Sequence, residues 1–160
     1  MMPMQKSDIS VCIPTYNSER TLRACLDSIF RQTVKPKEVL ICDGGSTDKT
    51  LEILKEYPVK IVATNVKGVG SARNILASAA TGRIIAWIDS DVIIPINWLE
   101  VREKIHRERP EIDCLSNLTG FMDMKEAVER FKVPISLEKI VLNLSEKISQ
   151  SALTIKKDVV

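Results

Sequence analysis

Four short apolar runs, at 9–13, 38–42, 59–63 and 84–88, alternate with stretches whose apolar residues recur at helical spacing. No other feature narrows the fold as much. Strands and helices alternating in this way form right-handed β-α-β units around a parallel sheet. After the first run, Leu22, Cys25, Leu26, Ile29 and Phe30 mark a helix with Ser18 as its N-cap. A tight turn at 43–46 leads into a helix that starts near Thr47 or Asp48, ends near Glu56 and buries Leu51 and Leu54. A loop at 65–70 precedes a small-residue helix over 71–80, with Ala72, Ile75, Leu76 and Ala79 on one side and Gly82 as its stop. Beyond Pro95 the pattern gives a helix over 97–109, a short strand at 113–116, helices at 125–131 and 137–148, and a strand at 152–155. The expected fold is α/β: a Rossmann-like, mostly parallel, twisted sheet with helices on both faces. The 160 residues carry no repeat, low-complexity tract or linker, which makes 1–160 one domain.

Composition excludes several classes of function. A hydrophobic content of 44% and a charged content of 28% are those of a globular chain. The net charge of +2 comes without a dense basic run, so nucleic acid is not an expected partner. Residues 1–8 hold no apolar signal-peptide core, and no stretch approaches the ~20 apolar residues of a membrane span. A soluble, cytoplasmic chain without a membrane span is expected. Cys12, Cys25, Cys42 and Cys114 lack any metal-ligand spacing and read as buried reduced thiols. His106 sits in a charged stretch and reads as an exposed helix position; Trp87 and Trp98 read as packing residues.

The run at 84–88 ends in Asp89-Ser90-Asp91. Two carboxylates at a strand end repel each other unless a cation shares them, and Mg²⁺ or Mn²⁺ suits such oxygen ligands. A polar turn of Asp and Ser is the other reading. The ends of the other runs carry Thr15-Tyr16-Asn17 and Asp43. In a parallel sheet all three sets lie along the carboxyl edge, where open α/β folds bind ligands.

Ile13-Pro14-Thr15-Tyr16-Asn17, Asp43-Gly44-Gly45-Ser46-Thr47-Asp48, Gly70-Ser71-Ala72-Arg73-Asn74 and Asp89-Ser90-Asp91, in that order, resemble the nucleotide-binding half of family 2 glycosyltransferases. The resemblance covers residues 8–100. It implies a glycosyltransferase A type domain that binds a nucleoside-diphosphate sugar with Mn²⁺ or Mg²⁺ and transfers a hexose with inversion. One departure stands out: the family's usual Asp-Asp-Gly-Ser is here Asp43-Gly44-Gly45-Ser46, which keeps the first acid and loses the second. By the resemblance, Asp43 accepts the N3–H of a uracil, an acceptor-only partner for a donor; a turn Asp that caps the next helix is the other reading. Pro14, Thr15, Tyr16 and Asn17 lie against the nucleoside. Glu19 lies near it too, although a helix dipole explains a first-turn Glu equally well. Gly68 and Gly70 permit close backbone approach. Arg73, in the first turn of its helix, opposes the helix dipole and offers a guanidinium to the base or the pyrophosphate. Asp91 is the leading metal ligand, with Asp89 on the ribose or supporting the metal and Ser90 between them.

Inverting transfer also needs a base for the acceptor hydroxyl, and the family supplies it after a Gly-Gly-Phe-Asp-like stretch that this chain lacks. Asp113, Asp123 and Glu126 are carboxylates without a motif. Residues 101–160 therefore read as an incomplete acceptor side, to be finished by a further segment, a partner or a second copy in a homo-oligomer. The acceptor itself, glycan, lipid or protein, is not written in these residues. Two rivals stand beside this reading. One is a non-catalytic nucleotide-binding or assembly module. The other is an aspartyl-nucleophile phosphatase, whose Asp-x-Asp motif also ends an apolar strand.

Overall fold

The computed structural model describes residues 7–117 and 149–159. Its six strands are β1 (Ile9–Thr15), β2 (Glu38–Asp43), β3 (Lys60–Ala63), β4 (Ile84–Ile88), β5 (Cys114–Asn117) and β6 (Ser149–Lys156). They form one sheet in the order β3-β2-β1-β4-β6-β5. The first four pair in parallel, while β6 is antiparallel to both β4 and β5. The expected α/β architecture is thus present, and β4 has the expected bounds. The helices expected at 125–131 and 137–148 lie outside the described residues.

Side-chain alternation sends each central strand into two cores. Ile9, Val11 and Ile13 of β1 join Val39, Ile41, Ile84, Ala86 and Ile88 on one face. Helix α1 (Leu22–Phe30), α2 (Thr50–Leu54) and α4 (Trp98–Glu108) cover that face through residues such as Leu26, Leu54 and Leu99. Cys12, Leu40, Cys42, Ile85 and Trp87 point the other way, onto Ala72 and Leu76 of α3 (Val69–Ala79). Both tryptophans are packed as expected.

Helix starts differ from the reading in three places. Ser18 does not cap α1 with its hydroxyl; its carbonyl accepts from Thr21 and Leu22 N–H at 3.1 and 2.9 Å, and the helix begins at Leu22. Helix α2 is a short piece that starts late, at Thr50 after Lys49; Asp48, just before it, accepts Thr50 N–H at 3.0 Å. Helix α3 begins two residues early, so Gly70 lies inside it and Arg73 lies beyond its first turn.

Two residues sit in surroundings opposite to those expected. His106 is 6% exposed, with Nε2 at 3.0 Å from Thr154 Oγ1 and Nδ1 at 3.3 Å from Ile112 O. Of the polar residues of α4, Arg102 and His106 are buried: Arg102 donates to Leu115 O of β5 at 2.6 Å, and the imidazole ties the helix to β6. Cys114, in contrast, is exposed at the start of β5; the other three thiols are buried. Among the described residues no helix is long and apolar enough to cross a membrane.

Candidate functional site

A cavity of about 1090 Å³ opens at the carboxyl edge of the parallel strands. Pro14, Thr15, Tyr16, Asn17 and Ser18 line it from the end of β1, and Gly44 from the end of β2. Arg73 enters from α3, and Asp89, Ser90 and Asp91 from the end of β4. Eight of the residues expected at the site therefore share one cavity. Asp43, Glu19 and Gly70 do not line it.

Asp43 lies directly beneath. It is fully buried, and both carboxylate oxygens are occupied. Oδ1 accepts from the hydroxyls of Thr15 at 3.1 Å and Ser46 at 2.6 Å. Oδ2 accepts the N–H groups of Gly45 and Ser46, each at 2.8 Å. Burial pushes its pKa up, but the bonds from Ser46, Gly45 and Thr15 together hold it below the usual carboxylate value. A carboxylate with four donors has no lone pair left over for a base. Asp43 here ties the ends of β1 and β2 together and shapes the turn that forms the cavity wall. Glu19 has a comparable structural task. Its carboxylate accepts Lys49 N–H at 3.0 Å, and it precedes α1 rather than occupying its first turn.

The end of β4 is different. Asp91 is exposed in the cavity, and Asp89 is half-buried beside it. Arg73 Nη2 donates to Asp89 Oδ1 at 3.4 Å, and its guanidinium lies 5.9 Å from the Trp87 ring centroid. Burial raises the Asp89 pKa; Arg73 opposes this and the Asp91 charge adds to it. Ser90 Oγ shares a 2.8 Å hydrogen bond with Ser18 Oγ, which joins the β4 turn to the β1 loop. Asp89 and Asp91 are two carboxylates without a third partner: among the described residues no group of three or more His, Cys, Asp or Glu could hold a metal ion. That set fits Mg²⁺ or Mn²⁺ completed by phosphate oxygens, and does not fit a closed protein cage of the zinc type.

Three loops are laced together around the opening. Asn17, in the left-handed region at φ 45°, donates its N–H to Ser46 Oγ and accepts Thr47 N–H, both at 2.9 Å. Val66 N–H donates to Asp43 O at 3.1 Å. That bond brings the loop after β3 to the cavity, and with it Lys67, which the reading of 65–70 as a glycine loop passed over. Arg20 also lines the cavity unexpectedly. A cation in a glycine-containing loop at a strand end was the available signal for Lys67. Asp113 is excluded as a base for this site. Its carboxylate accepts Lys156 Nζ at 2.9 Å, and Lys156 pairs with Ile84 at the opposite end of β4. Asp123 and Glu126 lie outside the described residues.

The sequence matches the Glycosyl transferase family 2 profile over residues 10–151. Chondroitin synthase of Escherichia coli is 40% identical over 112 residues, covering 67% of this chain and 16% of that protein. The Escherichia coli UDP-Glc:alpha-D-GlcNAc-diphosphoundecaprenol beta-1,3-glucosyltransferase WfgD is 37% identical over 98 residues, covering 59% of this chain and 39% of that protein. The crystal structure of S. aureus TarS 1–349 in complex with UDP-GlcNAc has a TM-score of 0.72 at 26% identity, covering 94% of this chain and 46% of that chain. The chain thus spans less than half the length of each of these relatives. The profile match sets aside the aspartyl-phosphatase reading, because it places the Asp89-Ser90-Asp91 strand end within a different enzyme family. With the sheet order, the carboxyl-edge cavity and the motifs at its strand ends in agreement with that profile, the chain belongs to the family 2 glycosyltransferases.

Proposed function

We propose that this chain binds a nucleoside-diphosphate sugar, a UDP-sugar, across the carboxyl edge of its sheet and serves inverting transfer of the hexose to an acceptor hydroxyl. The observation that carries the reading is the charge arrangement in the cavity: Arg20 and Arg73 line it together with Asp89 and Asp91. A diphosphate would meet the cations on one side, and on the other the carboxylates that would hold a divalent ion. Asp91, supported by Asp89, would hold Mn²⁺ or Mg²⁺, which when bound stabilises the charge that builds on the departing diphosphate. Arg73 keeps Asp89 in place and presents its guanidinium to the same oxygens. Thr15 and Tyr16 wall the nucleoside, and the turn that Asp43 holds supports them from below. WfgD and the TarS complex are both named for UDP-sugars. The free cysteines fit a reducing, cytoplasmic compartment.

Among the described residues, Asp89 and Asp91 are the only carboxylates lining the cavity. With both assigned to the donor side, neither serves as base for the acceptor. A base for the acceptor therefore comes from outside the described lining of the cavity, and without one turnover falls by ~10²–10⁴-fold. The test is calorimetry with UDP and UDP-sugars, with and without Mn²⁺, followed by incubation with acceptors while UDP release and glycosylated product are measured separately. UDP should bind, more tightly with Mn²⁺, and this chain alone should hydrolyse donor slowly with little transfer. Failure to bind any nucleoside diphosphate would overturn the proposal. Rapid transfer would overturn the incomplete acceptor side and would mean that a carboxylate after Asp91, or a second copy, supplies the base.

A further inference from the structure

We propose that Lys67 reads the nucleobase, selecting uracil over cytosine, and that Gly44 makes this possible; the inference rests on the donor-binding reading above. Asp89 and Asp91 mark the diphosphate end of the cavity. The base then lies toward the other end, where the sheet order puts the residues after β2 and β3. Those strands stand two and three spacings from β4, roughly 10 and 14 Å away.

Gly44 and Lys67 meet at that end. Lys67 Nζ lies 3.4 Å from Gly44 O, a long hydrogen bond, and the side chain is exposed at the cavity wall. The loop that carries Lys67 is held by the bond from Val66 N–H to Asp43 O and turns at Asn65, φ 61°. Among the described residues no carboxylate pairs with Lys67. The usual family pattern places an acid at position 44, next to this ammonium; glycine removes it. Glycine also admits the neighbouring ring: a Cβ at position 44 would come within 3.2 Å of Tyr16 Cδ2 and 3.3 Å of Tyr16 Cβ. The result is an aromatic face, Tyr16, beside a donor-only cation at the edge of the space for a base.

An ammonium donates and cannot accept. Uracil presents a carbonyl oxygen at C4, which Lys67 can satisfy. Cytosine presents an amino group at the same position, a second donor facing the first. Lys67 therefore adds affinity for the keto base and none for the amino base.

The test is calorimetry of UDP and CDP, each with Mg²⁺, on the full chain and on Lys67→Met, Lys67→Arg and Gly44→Asp. Lys67 is exposed and makes one weak bond, so its variants should fold. Wild type should prefer UDP, and Lys67→Met should weaken UDP roughly tenfold while leaving CDP unchanged. Lys67→Arg keeps a donor and should keep the preference. Gly44→Asp supplies a carboxylate partner to Lys67 and should narrow the preference. Equal weakening of UDP and CDP by Lys67→Met would place Lys67 on the diphosphate and overturn this inference alone. If wild type bound neither nucleotide, the donor-binding reading would fall and take this inference with it.

Discussion

The two edges of the parallel strands are built from the same residue types and used in opposite ways. At the amino edge, polar groups satisfy one another. Asp8 accepts from Lys37 Nζ at 3.0 Å and Arg83 Nε at 2.7 Å. Glu38 Oε1 accepts Ser10 Oγ, Thr81 N–H and Thr81 Oγ1, each at 2.7 Å. Gly82 N–H donates to Ser10 Oγ at 2.8 Å, and the backbone is so close there that a Cβ would lie 2.7 Å from Asp8 O. At the carboxyl edge the polar groups divide. Asp43 is saturated and buried, whereas Asp91 faces the cavity with no donor among the described residues. Saturation marks the residues that hold the fold. Functional capacity lies with the polar groups that the fold positions and leaves open.

The largest effect on stability is expected where saturation and the site coincide. Asp43→Ala leaves the Thr15 and Ser46 hydroxyls and the Gly45 and Ser46 N–H groups without their acceptor. Each unsatisfied buried group costs about 1–3 kcal/mol, and with water reaching Ser46 the total should be about 3 kcal/mol. Denaturant unfolding measures it, and UDP binding should weaken with or without metal because the cavity wall loosens. A variant as stable as wild type would show that the turn does not depend on Asp43.

Much of this was legible in the residues. A run of five apolar residues bounded by Arg83 and Asp89 sets the limits of β4, because a strand buried on both faces must be apolar throughout. The alternation then put Thr15, Asp43 and Asp91 on one edge. What could not be read depends on partners far along the chain. The donors to Asp43 include Thr15, 28 residues away, and local turn chemistry gives no hint of that bond. His106 is buried by Thr154, 48 residues on, although its neighbours in sequence are charged. Lys67 reaches the cavity only because Val66 is tied to Asp43. Periodicity reports which face of an element is apolar; it does not report which loop will be stitched to which.

His106 allows a smaller perturbation at the saturated amino edge. Burial lowers its pKa below the ordinary 6.5, and the charges of Arg102 and Lys156 add to that, against the Ile112 carbonyl and Asp113. The folded chain thus holds a neutral imidazole where the unfolded chain takes a proton. Its contribution to stability is complete above pH 6.5 and is lost as pH falls from there toward the folded pKa. Wild type should therefore lose more Tm between about pH 7.5 and about pH 5.5 than His106→Gln, which cannot titrate. Parallel pH profiles for the two proteins would show that the tie between α4 and β6 does not sense protonation.

The smallest effect on stability, and the sharpest test of the contrast between the edges, belongs to Asp91→Asn. The substitution keeps the shape of the side chain, breaks no hydrogen bond among the described residues and removes a charge that repels Asp89. Stability should stay within about 0.5 kcal/mol of wild type, as for other surface changes. Binding should respond quite differently. A neutral amide is a poor ligand for a hard divalent ion, so Mn²⁺ should no longer tighten UDP binding appreciably, while the metal-free affinity should be kept. Titrations of UDP with and without Mn²⁺, on wild type and variant, separate these quantities. Equal metal enhancement in the two proteins would mean that Asp91 is not a ligand. The open carboxylate at the end of β4 would then need another task, and the division between saturated and available acids would lose its functional meaning.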